Sequence, residues 1–331
     1  FCYILIYADT INDPTRFDMT GVNRAITKSS HSPIASNSSL AAREIGRRLK
    51  AFRLGTGLSA DELAGKIGIS RAALYRYEKG EPPKLELLDG IAAVLGVSLT
   101  TLLGVGAEYI PSALSFFERM RQIEAEAEQC VAMFAPLPFL LTTEKFDQIL
   151  PDLLHESLPD SLPDRKNALK FADDTAAVLL RRKQQLSTRR TNLVMLVSAA
   201  EIHRLLLQGF VGCHGLTSKV VRQRKDLART EVQHIVDYLD DQPIGVQIGV
   251  LVDSAPTTSF QIFRQREQEL LAISPFRIGD LPNIRVGVAI ITSAPDAVNL
   301  HSNVAEELWQ RSLKASEGRD CLNKLLRDTA S

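Results

Sequence analysis

The chain has 331 residues, 45% of them hydrophobic, with 39 Lys and Arg balanced by 39 Asp and Glu. That length is enough for two domains, and a net charge of zero excludes the strong overall basic field of a sequence-blind polyanion binder. Cys2, Cys130, Cys213 and Cys321 are scattered, with no C-x-x-C pair and no His spacing suited to zinc. The adjacent pair Cys213 and His214 cannot by itself close a tetrahedral site. The expectation is therefore no metal, no cofactor, and reduced thiols in the cytoplasm.

The opening FCYILIYA is apolar but far shorter than the roughly 20 residues that span a bilayer. It also lacks the positively charged start of a signal peptide, so no membrane association is expected. The chain starts at Phe1 with Met19 downstream, which leaves open whether residues 1–18 belong to the natural product. From Thr20 to Ser39 the sequence is rich in Ser, Thr and Asn, with Arg24 and Lys28 and no acid. Residues 1–39 are expected to be a disordered arm.

The next stretch, EIGRRLKAFRLGTGLS, is apolar at Ile45, Leu49 and Phe52 and predicts a helix that ends near Gly55. Ser59 then sits at an N-cap with Glu62 three residues later, the capping-box spacing. Leu63 and Ile67 give a short second helix its apolar stripe, and Ala64 leaves room for a close neighbour. Gly68 supplies the break, and Ser70 at once caps a third helix. So short a gap fits the tight turn between two helices of a helix-turn-helix.

The third helix divides by face. At about 100° per residue, Arg71, Ala72, Tyr75, Arg76 and Lys79 share one arc, and Ala73, Leu74 and Tyr77 lie opposite. Arginine suits guanine O6 and N7, and a methyl such as that of Ala72 suits thymine. A fourth helix carries Leu85, Leu88, Ile91, Ala92 and Leu95 and stops at Gly96, and Ser98 opens a last short turn. Residues 40–105 hold ten Lys and Arg against seven Asp and Glu, a modest local excess.

With ELA in helix two, E-K-G ending helix three and VLGVSL before the last turn, residues 40–104 resemble the XRE-type, lambda-repressor-like helix-turn-helix domain. The resemblance implies five helices and binding to double-stranded DNA through the major groove. By position it assigns Arg71, Ala72, Tyr75 and Arg76 to base edges and Lys79 and Lys84 to phosphate, with the cap Ser70 counted in the DNA-facing set. It also implies that Arg53 and Glu78 pair across the base of the domain. Similar proteins often carry Gln just after the helix-two cap for a phosphate contact; Ala60 stands there, so that contact is expected to be absent. The arm before residue 40 is then an inert leader or, as the alternative, follows a groove of the duplex.

Residues 106–111 are expected to be a linker to a C-terminal domain over 112–331. There SALSFFERMRQIEAEAEQCVAMFA predicts one helix, closed by Pro136 and Pro138, and a further helix is expected from about Lys166 to Leu186. Apolar runs at 192–198, 246–252 and 284–292, with another at 257–263, predict strands. Helices near 200–208, 217–239 and 302–315 then make this part α/β or α+β, and the whole chain multidomain. PLPFLLTTEKF, RRKQQL and VQIGVLVDSAP are similar, more faintly, to the sensor-like domain of many bacterial XRE regulators. That likeness implies dimerisation, a small-molecule effector, or both. Phe139, Phe146, Phe260, Phe263 and Trp309 are expected to be core, with pocket walls as the alternative. Arg181, Arg182, Arg189 and Arg190 are expected to be a solvated helix end, with an anion site as the alternative. No catalytic constellation emerges, and Glu201 and His203 lack the spacing of a metalloprotease helix. The expectation is a sequence-specific bacterial transcriptional regulator and no enzyme. An autoregulatory antitoxin or an enzyme-fused regulator stays open beside it.

Overall fold

The computed structural model of the chain describes residues 33–134, 137–188 and 191–330. Helix α1 (Pro33–Gly55) begins inside the segment expected to be disordered, with Pro33 at its start, where proline costs no hydrogen bond. The rest of that arm lies outside the described residues. Helices α2 (Ala60–Ile67), α3 (Arg71–Glu78), α4 (Leu85–Leu95) and α5 (Leu99–Leu103) follow, five among the described residues through Leu103. Leu49, Leu63, Leu74, Ile91 and Leu102 are completely buried between them.

No free linker follows. Residues 106–111, expected as a linker, contain strand β1 (Ala107–Ile110), which pairs antiparallel with β7 (Ala289–Thr292). The sheet has seven strands in the order β1-β7-β6-β5-β2-β3-β4, where β2 is Gln129–Phe134, β3 Asn192–Ser198, β4 Val246–Leu251, β5 Ser259–Arg264 and β6 Glu269–Ser274. The β2, β3 and β4 strands run parallel and the remaining pairs antiparallel. The helix expected from residue 112 onward is thus two elements. Helix α6 (Ala113–Glu124) stops early, and Cys130 to Phe134 enter the sheet. Alternating residues of β2 feed different cores: Cys130 and Ala132 belong to one and Met133 to the other, a two-sided burial that a strand satisfies and a helix does not.

One face of the sheet is covered by α11 (Pro295–Arg311), whose Val298, Ala305 and Leu308 pack on Leu196, Phe260 and Ile262. The larger core on the other side takes in α6, α7 (Glu144–Glu156), α8 (Arg165–Ser187), α9 (Ala199–Gln208), α10 (Ser218–Asp241) and α12 (Ala315–Asp328). The late strand is confined to four residues, because Gly287 just before it has φ of 135° and turns the chain. Of the aromatic side chains weighed as pocket walls, Phe260 and Phe263 are buried on opposite faces of β5. Phe139, Phe146 and Phe210 stack edge to face in the core, and Trp309 lies beneath the Lys314 ammonium. Cys130 is buried, and desolvation pushes its thiol up. Among the described residues no helix is long and apolar enough to cross a membrane.

The helical domain is joined to the sheet by buried charge. Glu108 on β1 is almost wholly buried and accepts hydrogen bonds from Arg48 Nε of α1 at 2.6 Å and from Arg119 Nε and Nη2 of α6 at 2.9 and 2.8 Å. Arg119, itself 1% exposed, also donates to Gln122 Oε1 at 2.8 Å and to Glu44 Oε2 of α1 at 3.3 Å. Arg47 of α1 adds a pair with Glu126. Backbone proximity does the rest: a Cβ on Gly55 would lie 1.7 Å from Ser115 Oγ, so the end of α1 seats on α6 only without a side chain there.

Burial opposes ionisation of Glu108, but the Arg119 and Arg48 charges outweigh it and hold the carboxyl below its ordinary range. A depressed carboxylate contributes stability above its unfolded value of about 4.3 and loses it as pH falls through the folded value. Acid titration should therefore leave the junction intact down to about pH 4.3 and release it below that, whereas Glu108→Gln removes the transition; near-ultraviolet circular dichroism against pH measures both. Arg119→Met leaves Glu108 short of a partner in a dry site and should lower stability by roughly 3–5 kcal/mol in urea melts. A loss under about 1 kcal/mol would mean that solvent reaches the pair.

Candidate nucleic-acid interface

The two helices that form the motif are fixed by local chemistry. Ser59 Oγ accepts from Glu62 N at 3.2 Å and Glu62 Oε2 accepts from Ser59 N at 2.8 Å, which closes the capping box. The hydrogen bond from the Ser59 backbone holds the Glu62 carboxyl below its usual range. Gly68 closes α2 with φ of 71°, a conformation that side chains other than glycine adopt only at a cost. Ser70 Oγ then accepts from Ala73 N at 3.1 Å and opens α3 two residues later.

Helix α3 buries Leu74 and Glu78 and exposes Arg71, Ala72, Tyr75, Arg76 and Lys79. Its inner end is clamped by the Arg53–Glu78 pair: Arg53 Nε donates to Glu78 Oε1 at 2.6 Å and Nη2 to Oε2 at 3.2 Å. Arg53 Nη1 donates to the Leu58 carbonyl at 3.2 Å, so one guanidinium ties α1, the loop before α2, and α3 together. Two parallel N–H···O bonds fix direction as well as distance. Gly46 supplies a contact not anticipated from the sequence. A Cβ there would lie 2.3 Å from the Tyr77 carbonyl oxygen, so α3 rests directly on the α1 backbone. A glycine inside a helix where alanine is favoured was the available signal.

On the outer face the arginines are already engaged. Arg71 Nη1 donates to Asp61 Oδ2 at 3.0 Å and Nη2 to the Tyr75 hydroxyl at 3.2 Å, and the guanidinium stacks 5.3 Å from the Tyr75 ring centre. Arg76 Nε lies 3.0 Å from Glu81 Oε2. Both pairs are open to solvent, so they preorganise the side chains at a cost small enough for a stronger acceptor to displace. Lys84 is exposed at the start of α4 and makes no capping bond.

Other candidates are dispersed. Arg181 is exposed, but Arg182 is buried and donates to both Glu124 oxygens at 3.0 and 2.5 Å, so that part of the helix end is not solvated as expected. Arg189 and Arg190 lie outside the described residues. Among the described residues no group of three or more His, Cys, Asp or Glu side chains could hold a metal ion.

A helix-turn-helix family model matches residues 49–102. The transcriptional regulator SinR of Bacillus subtilis is 39% identical over 61 residues, which cover 18% of this chain and 55% of SinR. A protein of Pyrococcus horikoshii named as an HTH-type transcriptional regulatory protein is 61% identical over 36 residues, 11% of each chain. The match thus spans about half of SinR and a ninth of the Pyrococcus protein. The solved structure of TrmBL2, an archaeal chromatin protein, covers 81% of this chain and 93% of its own at 11% identity and a TM-score of 0.29, from which no structural correspondence follows. With its two capped helices and its glycine turn, the segment that the family model matches forms a helix-turn-helix and is similar to HTH-type transcriptional regulators.

Proposed function

We propose that the chain is a sequence-specific DNA-binding transcriptional regulator that inserts α3 into the major groove. The observation that carries the reading is the division of α3. One face is anchored by Leu74 and by Glu78 with Arg53, and the other offers two guanidiniums, a phenol, a methyl and an ammonium to solvent. Arg71, Ala72, Tyr75 and Arg76 meet base edges, and Ser70, Lys79 and Lys84 meet the backbone. Guanine presents two acceptors to one guanidinium, so on the duplex Arg71 and Arg76 exchange Asp61 and Glu81 for bases. The HTH-type regulators that resemble residues 49–102 support the same reading by their names.

A single motif of this kind contacts few base pairs, so useful selectivity requires two copies on half-sites about one helical turn apart. Residues 40–105 act as the reader, and the part from residue 112 onward brings two copies together and senses a small effector. The effector works by binding the two poses of the reader with different affinity.

Selection of duplexes from a random pool tests this directly. Wild type should enrich an inverted repeat, and Arg71→Ala/Arg76→Ala should enrich none. Arg76→Ala alone should cost about 1–3 kcal/mol on the selected duplex and relax one position; an equal loss on random DNA removes Arg76 from the base-reading set. Arg53→Ala should weaken binding of the selected duplex and lower the melting temperature together, because it acts through the seating of α3. Unchanged affinity and unchanged melting would refute that role.

A further inference from the structure

A cavity of about 660 Å³ opens where β3 and β4 begin, between the end of α8 and the last turns of α10. Its floor is apolar: Leu140, Leu141 and Leu193 are buried beneath it. Ile244 stands at its rim fully exposed, an unusual position for a large apolar side chain. Two polar groups in the lining, the Tyr238 hydroxyl and the Asn192 amide, have no hydrogen-bond partner among the described residues. Among the described residues of the lining, the one cation is already engaged. Lys183 Nζ donates to Thr142 Oγ1 at 3.3 Å, to the Thr143 carbonyl at 3.2 Å and to Asp147 at 2.7 Å.

We propose that this cavity is the effector site, and that it takes a small molecule with an apolar body and a hydrogen-bonding group. The assignment rests on the reading of the C-terminal part as a sensor. Its volume falls in the range of ligand pockets, and an apolar floor with a few polar groups in the lining is their usual make-up. Lys183 pairs with Asp147, so apolar contact and hydrogen bonding are what the described lining offers a ligand. The same helix that walls the cavity leads to the reader. Lys183 and Leu186 of α8 face the cavity, while Arg182 holds Glu124 of α6 and Gln185 Nε2 donates to the Arg121 carbonyl at 2.9 Å. Helix α6 in turn presents Arg119 and Gln122 to α1. A shift of α8 is thereby passed to α1 through contiguous hydrogen-bonded side chains.

The test uses the full chain and N-phenylnaphthylamine, a neutral aromatic fluorophore with a single N–H. Wild type should bind it saturably, one per chain, with a shift of its emission to the blue. Leu186→Trp, which fills the cavity, should weaken binding by about tenfold or more, and Tyr238→Phe, which removes only a hydroxyl, by about threefold. Affinity for the selected duplex should change on saturation with the fluorophore, and should change less in Gln185→Ala. Undiminished binding by folded Leu186→Trp and Tyr238→Phe proteins overturns the site. Binding in the cavity with duplex affinity unmoved overturns the effector role. Fluorophore binding is read without DNA, so a failure of the reader to select any duplex refutes the regulator reading separately.

Discussion

Glu108 is a carboxylate withdrawn from water and kept charged by two guanidiniums that come from different layers of the molecule. Arg48 belongs to the first helix of the helical domain and Arg119 to the first helix beyond it, while Glu108 itself sits in the sheet. Desolvating three charges is expensive, and the arrangement is favourable only when all of them are in place with good geometry. That makes the junction close to all-or-none. A small rotation of α1 against α6 would strand a charge in a dry site, so intermediate poses are penalised and one orientation is strongly selected. Apolar packing of the same area would tolerate sliding.

A second guanidinium repeats this logic one layer further out. Arg53 is as buried as the residues of the apolar core, and it gives the inner end of α3 a fixed azimuth. Gly46 sets the separation of α1 and α3, and Arg53 sets the rotation. The outer face is therefore free to vary, since its side chains are exposed and the seating of α3 rests on the inner ones. The exposed pairs of Arg71 and Arg76 belong to that outer layer, where solvent makes an ion pair cheap to exchange.

The helical domain was legible because its information is local. Ser59 with Glu62, Gly68 and Ser70 lie within a dozen residues and fix ends and turns without help from distant chain. The sheet was half legible. Asn192 to Ser198 and Val246 to Leu251 are β-branched runs and fall in strands. Residues 129–134 were hidden behind a helix-like Glu-Ala-Glu-Ala run, because the signal that makes them a strand is contact with β3 and β5 on both sides. Strand β1 is four residues long and is a strand only by virtue of its pairing with β7, nearly two hundred residues away. Helix α7 carries Pro151 in its interior, which argued against a helix there although Phe146, Leu150, Leu153 and Leu154 are spaced for burial. The Glu108 junction joins residues 44, 48, 108 and 119, and no pattern in the chain relates them before folding. On α3, residues 71–79 announced an exposed face by their spacing, while the partners that hold Arg71 and Arg76 depend on the geometry of neighbouring turns.

Strand β1 has a consequence for distance. Only Gly104 to Gly106 separate α5 from a strand that is hydrogen-bonded along its length into the sheet. The helical domain is thus tied to the sheet by a three-residue connection that leaves little slack. In any assembly of two such chains the gap between the two copies of α3 is set by the platform, so a ligand that met both copies would have to present its two halves at that one spacing and rotation. A long tether would absorb a change in that spacing; a short one measures it.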